Sequence, residues 1–307
     1  MAVTVTQLVA FLTVVRRGSV RAAAEELVVT QPSVSAAIAA LEREVGVSLM
    51  ARSGRHLAPT PAGEAYAAYA ADVLGLLERG ARTAREIGGE HRSTLRLGAV
   101  TTAGEHLVAP LLRTFREAYP DLQITLQVGN RREVFQQLVD HRVDVAITGR
   151  LPEDLPIEGR PFAENDFVLV TAPGDQLAKA RAVDVGELAE RRWLLREPGS
   201  GTRTLVEEYL AAHGLHPEVL TLGSNGAIKQ AVALGLGLAL QPHCAVQMEL
   251  ELGRLATVRV RGGLPLRHWY VVRSAVGPVR KEVKAFMEYA ESRAAAQALA
   301  GAGAATG

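Results

Sequence analysis

A chain of 307 residues, 48% hydrophobic and 22% charged, is too long for one small module and too apolar for disorder, so two or three compact domains of roughly 100–200 residues are expected. The formal net charge of +1 does not advertise nucleic-acid binding, and because the first lysine is Lys179, phosphate contacts in the first half must come from arginines, backbone N–H groups or hydroxyls. No apolar run reaches the ~18 residues that span a bilayer, no signal-peptide pattern opens the chain, and the lone Cys244 excludes a disulfide framework and a cysteine-rich zinc site, so a cytoplasmic protein without a membrane partner is expected.

Residues 1–61 read as three short helices and a hairpin. Leu8, Phe11, Leu12 and Val15 recur at helical spacing until Gly18. Ser19 suits an N-cap, and Val20, Ala23, Ala24 and Leu27 form the next apolar stripe. Thr30 caps a third helix with Pro32 in its first turn, where no intrahelical N–H is lost. Val34, Ile38, Leu41 and Val45 share one face of that helix; Pro32, Ala36, Ala39 and Arg43 share the opposite one, flanked by Ser33, Ser35 and Ala40. A face so small and polar lets the backbone sink into a DNA major groove, with Gln31 and the serines bonding base edges or phosphates and alanine methyls meeting thymine methyls. The other reading is a three-helix bundle with an alanine-rich surface. Residues 48–60 form a hairpin with Gly54 at its tip, putting Arg52 and Arg55 beside the third helix for phosphate or minor-groove contact.

Residues 62–91 form one proline-free helix in which Tyr66, Ala70, Val73, Leu77, Gly80, Ala84 and Ile87 step by four and three, a heptad-like seam that packs on a second copy or on its own domain. From 94 onward strand-like runs alternate with amphipathic helices: strands at 95–100, 124–128, 143–148, 167–171, 193–196, 219–222, 236–240 and 268–272, and helices at 107–119, 133–141, 202–213, 227–234 and 279–290. That alternation implies parallel α/β architecture. Two lobes are expected, about 92–162 with 267–293 and about 163–266, the chain crossing near 160–166 and returning near 262–268. The Ala/Gly-rich residues 294–307 are expected to fray as a flexible tail.

Several motifs are recognisable in register. Ala23-Ala24-Glu25-Glu26-Leu27, Thr30-Gln31-Pro32-Ser33-Val34-Ser35, Leu41-Glu42-Arg43-Glu44-Val45-Gly46, Leu49-Met50-Ala51-Arg52 and Pro59-Thr60-Pro61-Ala62-Gly63 resemble the winged helix-turn-helix of LysR-type transcriptional regulators. Met50 stands where that family usually has Phe, and Pro59-Thr60-Pro61 replaces its usual Leu-Thr pair. Gly104-Glu105-His106-Leu107-Val108-Ala109-Pro110, Val143-Asp144-Val145-Ala146-Ile147 and Gly235-Leu236-Gly237-Leu238-Ala239-Leu240-Gln241-Pro242 resemble its effector domain, whose fold is similar to periplasmic binding proteins. Val128-Gly129-Asn130 and the stretch from Gly223 to Gln230 most resemble the Calvin-cycle and sulfur-assimilation regulators. The resemblance implies an α+β multidomain chain: a winged helix-turn-helix DNA-binding domain over 1–61, a linker and dimerisation helix over 62–91, and a two-lobed α/β effector domain over 92–293. It also implies double-stranded DNA bound by a dimer or a dimer of dimers. Thr30, Gln31, Pro32, Ser33, Ser35, Ala36, Arg43, Arg52 and Arg55 would meet DNA, and Tyr66, Val73, Leu77 and Ala84 would join the copies.

Ligands of open α/β sheets lie beyond the carboxyl ends of the strands. The residues there are Thr101, Thr102, Thr148, Arg150, Ser200, Thr202, Arg203 and Asn225, and Thr101, Thr102 and Thr202 fall where the family commonly binds effector. Hydroxyl-rich helix starts with arginines suit a small anionic metabolite; the same hydroxyls could be plain N-caps, and Arg150 and Arg203 could be surface ion pairs. No metal-binding histidine spacing, nucleophile elbow, dinucleotide fingerprint or Walker motif occurs, so neither catalytic residues nor a cofactor is expected. Cys244 beside His243 reads as a buried, inert thiol rather than a reactive one. The competing functional reading is a solute-binding protein with a degenerate N-terminal helical domain.

Overall fold

The computed structural model of the chain describes residues 2–53, 56–89 and 92–304. Two compact units emerge: Met1–His91 with Val139–Arg142, and Arg92–Leu138 with Val143–Gly307. In the first, helix α1 (Val5–Arg17) opens with a reciprocal cap: Gln7 N–H donates to the Thr4 hydroxyl while Thr4 N–H donates to the Gln7 side chain. Gly18, at φ 64, ends it. Helix α2 (Val20–Leu27) is capped by Ser19, and α3 (Gln31–Val45) by Thr30 with Pro32 in its first turn. Strands β1 (Met50–Ser53) and β2 (His56–Pro59) pair with Met50 opposite Pro59 and Arg52 opposite Leu57; the proline is tolerated at the strand's end, where ladder bonds stop. Gly54 and Arg55, the expected tip, lie outside the described residues.

Thr60 caps helix α4 (Pro61–Ile87). A Cβ on Gly63 would lie 1.9 Å from the Leu49 carbonyl oxygen, so the first turn of α4 presses on backbone that only glycine permits. The unit's core holds Leu8, Phe11, Leu41, Leu49 and Ala70, and beside it Ala10, Val14, Ala23, Ala24, Val34 and Ile38.

The second unit begins with β3 (Thr94–Val100), α5 (Thr101–His106) and α6 (Val108–Ala118), then β4 (Gln123–Gly129), α7 (Arg131–Val139) and β5 (Val145–Thr148). Strand β6 (Ile157–Thr171) follows, then a short α8 (Gln176–Lys179), a 3₁₀ turn at Val185–Leu188, β7 (Trp193–Leu195), α9 (Gly201–Ala212), β8 (Val219–Thr221) and α10 (Asn225–Ala233). The chain closes through β9 (Ala239–Pro242), α11 (His243–Glu251), β10 (Ala256–Val258), β11 (Leu266–Ser274), α12 (Lys281–Ala290) and α13 (Arg293–Ala304).

Two expectations are corrected here. The main sheet is mixed, not parallel: β3 pairs parallel with β4 and β5, whereas β11 pairs antiparallel with β5 and β6, and β6 with β9 and β10. The crossing near 160–166 runs along β6, which is far longer than its apolar stretch and pairs β11 from Ile157 to Asp166, and the return near 262–268 enters β11 at Leu266. The helix expected over 107–119 forms as α6, preceded by a separate α5. Residues expected to fray from 294 form most of α13, which buries Ala295 and Ala298; small side chains suit a helix pressed flat on a core.

Hydrophobic clusters in this unit fall into two groups. Leu97, Leu111, Phe115, Ile147, Val271 and Phe286 belong to one lobe, and Leu169, Trp193, Leu205, Ile228 and Leu240 to the other. Strands β6 and β11 run between them. Among the described residues no helix is long and apolar enough to cross a membrane.

Candidate functional site

Helix α3 separates its residues as its periodicity predicts: Val34, Ile38 and Leu41 are buried, while Gln31, Pro32, Ser33, Ser35, Ala36 and Arg43 are exposed. Thr30 is also exposed; its hydroxyl accepts the Ser33 N–H and lies 2.8 Å from the Ser33 hydroxyl, so both are already engaged at the cap. Arg52, on β1, is exposed. The result is a shallow surface of small side chains edged by two arginines, which can approach a groove closely and contact backbone phosphates.

On α4 the expected seam divides. Tyr66 packs edge-on against Phe11, with ring centroids 5.9 Å apart, and Ala70 is buried in the same core. Tyr66, half-buried, thus packs against its own domain. Val73, Leu77, Ala84 and Ile87 remain exposed, and Tyr69, which the heptad count passed over, joins them one turn earlier.

A cavity of about 330 Å³ opens between the two lobes of the second unit. Six of the eight expected effector residues line it: Thr101, Thr102, Thr148, Arg150, Ser200 and Thr202. Ser200 holds the N-cap position of α9, yet its hydroxyl makes no cap bond, unlike Ser224, whose hydroxyl accepts the Ala227 N–H. Capping therefore accounts for Ser224 but not for Ser200. Thr101 donates to the Gly129 carbonyl, and the Thr148 hydroxyl is buried with no partner.

Arg203 and Asn225 do not line the cavity. The Arg203 guanidinium meets Glu207, the Arg196 carbonyl and the Thr221 hydroxyl. Asn225 is a buried bridge: its amide donates to Thr102 Oγ1 at 3.1 Å and to Glu105 Oε2 at 3.0 Å, and its carbonyl oxygen accepts from Arg196 at 2.6 Å. It thus ties one lobe to the other beside the cavity.

Sequence reasoning missed Arg131, Arg196, Arg267, Asn165 and Trp269, all of which line the cavity. Arg131 was within reach, since it opens α7 directly after the noted Gly129-Asn130. Arg267, Trp269 and Asn165 come from β11 and β6, which only the sheet register brings to the cavity. Four arginines line the cavity: Arg131, Arg150, Arg196 and Arg267. Glu197 pairs with Arg196, and a single carboxylate, Glu208, serves both Arg150 and Arg267 at 2.6 Å each. Burial, reinforced by Arg150 and Arg267, pushes the Arg131 guanidinium below its usual range, the mark of a cation enclosed with like charges. Asn165 Oδ1 and Arg131 Nε are buried without partners. Glu153 and Asp154 also face the cavity but are exposed at its rim.

Residues 5–64 match the family model described as bacterial regulatory helix-turn-helix protein, lysR family, and residues 88–295 match that of the LysR substrate binding domain. The HTH-type transcriptional activator CmpR of Synechocystis is 33% identical over 287 residues, 93% of this chain and 94% of that protein. The regulatory domain of Synechocystis CcmR, solved in complex with 2-PG, aligns with a TM-score of 0.62 at 28% identity, over 65% of this chain and 96% of that one. CbnR, a LysR family transcriptional regulator, aligns with a TM-score of 0.62 over 95% of this chain and 99% of its own, at 20% identity.

Proposed function

This chain belongs to the LysR family of DNA-binding transcriptional regulators with a C-terminal effector-binding domain, and on that premise we propose that a small anion held in the cavity between its lobes controls how α3 reads DNA. The reading of a solute-binding protein with a degenerate N-terminal domain gives way, because residues 5–64 match a DNA-binding family model in their own right. In the proposed complex Gln31, Ser35 and Ala36 meet base edges, Thr30, Pro32 and Ser33 pack at the groove, and Arg43 and Arg52 hold phosphates; Arg55 is assigned by sequence alone. Two copies join along Tyr69, Val73, Leu77, Ala84 and Ile87, and two such dimers pair on DNA.

One observation carries the effector class: four arginines line a cavity in which the buried Arg131 Nε, Thr148 hydroxyl and Asn165 carbonyl oxygen are unmatched. An oxyanion answers the unmatched Arg131 N–H and the hydroxyl, and a hydroxyl or acid proton on the ligand answers the Asn165 acceptor. The N-terminus of α9, opening at Ser200, adds backbone donors and the positive end of a helix dipole. The 2-PG complex of the CcmR domain supports a compact anionic metabolite of this kind. Binding would strengthen contacts from both lobes and so favour their closure, the step that changes how dimers sit on DNA.

The test is a thermal-shift and calorimetric screen of the full chain, with 2-phosphoglycolate first and neutral compounds of similar size alongside. A ligand present at about 100 times its dissociation constant stabilises the fold by about 2.7 kcal/mol. Arg131→Met and Thr148→Val should each weaken the response tenfold or more while the protein remains folded. A neutral aromatic compound that stabilises the chain when small anions do not would overturn the reading.

A further inference from the structure

A second cavity, of about 260 Å³, lies within the same unit and shares two features with the first. Trp269 lines both. Helices α5 and α10 border both as well: Thr102 and Asn225 bond beside the first cavity, and His106 and Lys229, each four residues further along, line the second. One helical turn therefore separates the two along the same pair of helices.

The walls and the polar end of this cavity differ in chemistry. Leu107, Ala245, Met248, Trp269 and Leu299 supply an apolar lining. At the polar end Lys229 Nζ and Glu249 Oε1 pair at 2.8 Å, with side chains only 18% and 20% exposed. The second oxygen, Glu249 Oε2, is enclosed and has no hydrogen-bond partner. An enclosed carboxylate oxygen without a donor destabilises the fold unless something meets it. Glu164 also lines the cavity, so its carboxylates outnumber its one ammonium by two to one. Burial, opposed by Glu105 and aided by Lys229, pushes the His106 imidazole below its usual range.

We propose that this cavity is a second ligand site that takes a small apolar-bodied amine, with the ammonium donating to Glu249 Oε2 and the body lying against Trp269 and Leu299. An aromatic or short aliphatic body fits the volume, and a protonated head satisfies both the unmatched oxygen and the surplus negative charge. The acid-binding chemistry argued for the first cavity would be repelled here, so the two sites select opposite charges. None of the arginines of the first cavity lines this one.

The experiment uses the full chain, with phenethylamine as the probe and phenylacetate as its matched anion, in calorimetry and thermal shift. Phenethylamine should bind and raise the melting temperature, and phenylacetate should bind at least tenfold more weakly. Glu249→Gln, which keeps shape and removes charge, should weaken phenethylamine tenfold or more. Leu299→Trp, which fills the cavity from the edge helix α13, should do the same and stands in if Glu249→Gln fails to fold. Arg131→Met should leave phenethylamine binding unchanged, which separates this site from the first. No binding at millimolar concentrations, binding indifferent to both cavity variants, or equal binding of the matched anion would each overturn the site and leave an ordinary hydrated void.

Discussion

Val28 holds a left-handed conformation, φ 55, at the C-cap of α2, with 89% of its surface exposed. A β-branched side chain there crowds its own backbone, at a cost of roughly 1–2 kcal/mol, and an exposed residue recovers none of it through packing. Val28→Asn should therefore raise unfolding stability by about 1 kcal/mol, read from the denaturant midpoint; a midpoint that falls would mean the valine is held by something other than local strain. Two other single residues carry the proposed DNA contacts. Ser35→Ala should cost about 1–3 kcal/mol at particular base pairs, whereas Arg52→Ala should weaken binding to every sequence and reduce the salt slope by about one. Gel-shift titrations on matched and scrambled fragments over a salt series separate the two, and unchanged binding in both folded variants would remove α3 and β1 from the interface. Burial pushes the Cys244 thiol up to about 12, which leaves almost no thiolate near neutral pH.

Among the elements, α4 has two jobs that its seven-residue rhythm does not distinguish. Its first turns pack into the core of the reading domain through Tyr66 and Ala70, and Gly63 lets it approach Leu49. Its later turns leave Tyr69, Val73, Leu77 and Ile87 exposed on a helix of 27 residues, and an apolar stripe of that length is stabilised by a partner. Leu77→Asp would bury a charge in the proposed seam, so sedimentation should show loss of the dimer with the fold intact. Tyr66→Ala should instead lower the stability of the reading domain, and if Leu77→Asp stays fully dimeric the copies join elsewhere.

The whole effector unit depends on a chain that leaves its first lobe and returns. Arg280, at the start of α12, is buried and donates to the Thr94 carbonyl at 2.9 Å and to Asp144 Oδ2 at 3.4 Å; Asp144 also accepts the Arg96 N–H. The returning segment is thereby bonded to the strands that opened the lobe. Arg280→Met leaves the buried Asp144 carboxylate without its guanidinium and should cost about 3–5 kcal/mol, seen as a lower urea midpoint. Adding Asp144→Asn, which keeps an acceptor for Arg96 and drops the charge, should recover part of the loss. A variant as stable as the parent would show that α12 is held by its apolar face alone.

Local pattern determined much of this protein. Caps at Thr4, Ser19, Thr30 and Thr60, the buried stripe of α3 and the turn at Gly18 all follow from residues within one or two helical turns of each other, and sequence spacing reports such distances directly. The family motifs are local in the same sense, so the reading helix and the hydroxyls at the strand ends were legible. Tertiary structure decided the rest. Whether Tyr66 faces its own domain or a second copy is not written in a heptad, because both partners reward the same apolar spacing. The bridging role of Asn225 depends on Thr102 and Glu105, more than a hundred residues away. Asn165 and Arg267 reach one cavity only because β6 and β11 pair from Ile157 to Asp166 against Leu266 to Ser274. A one-residue slip in that register would turn their side chains to the opposite face, and register is a property of the assembled sheet that neither strand specifies alone.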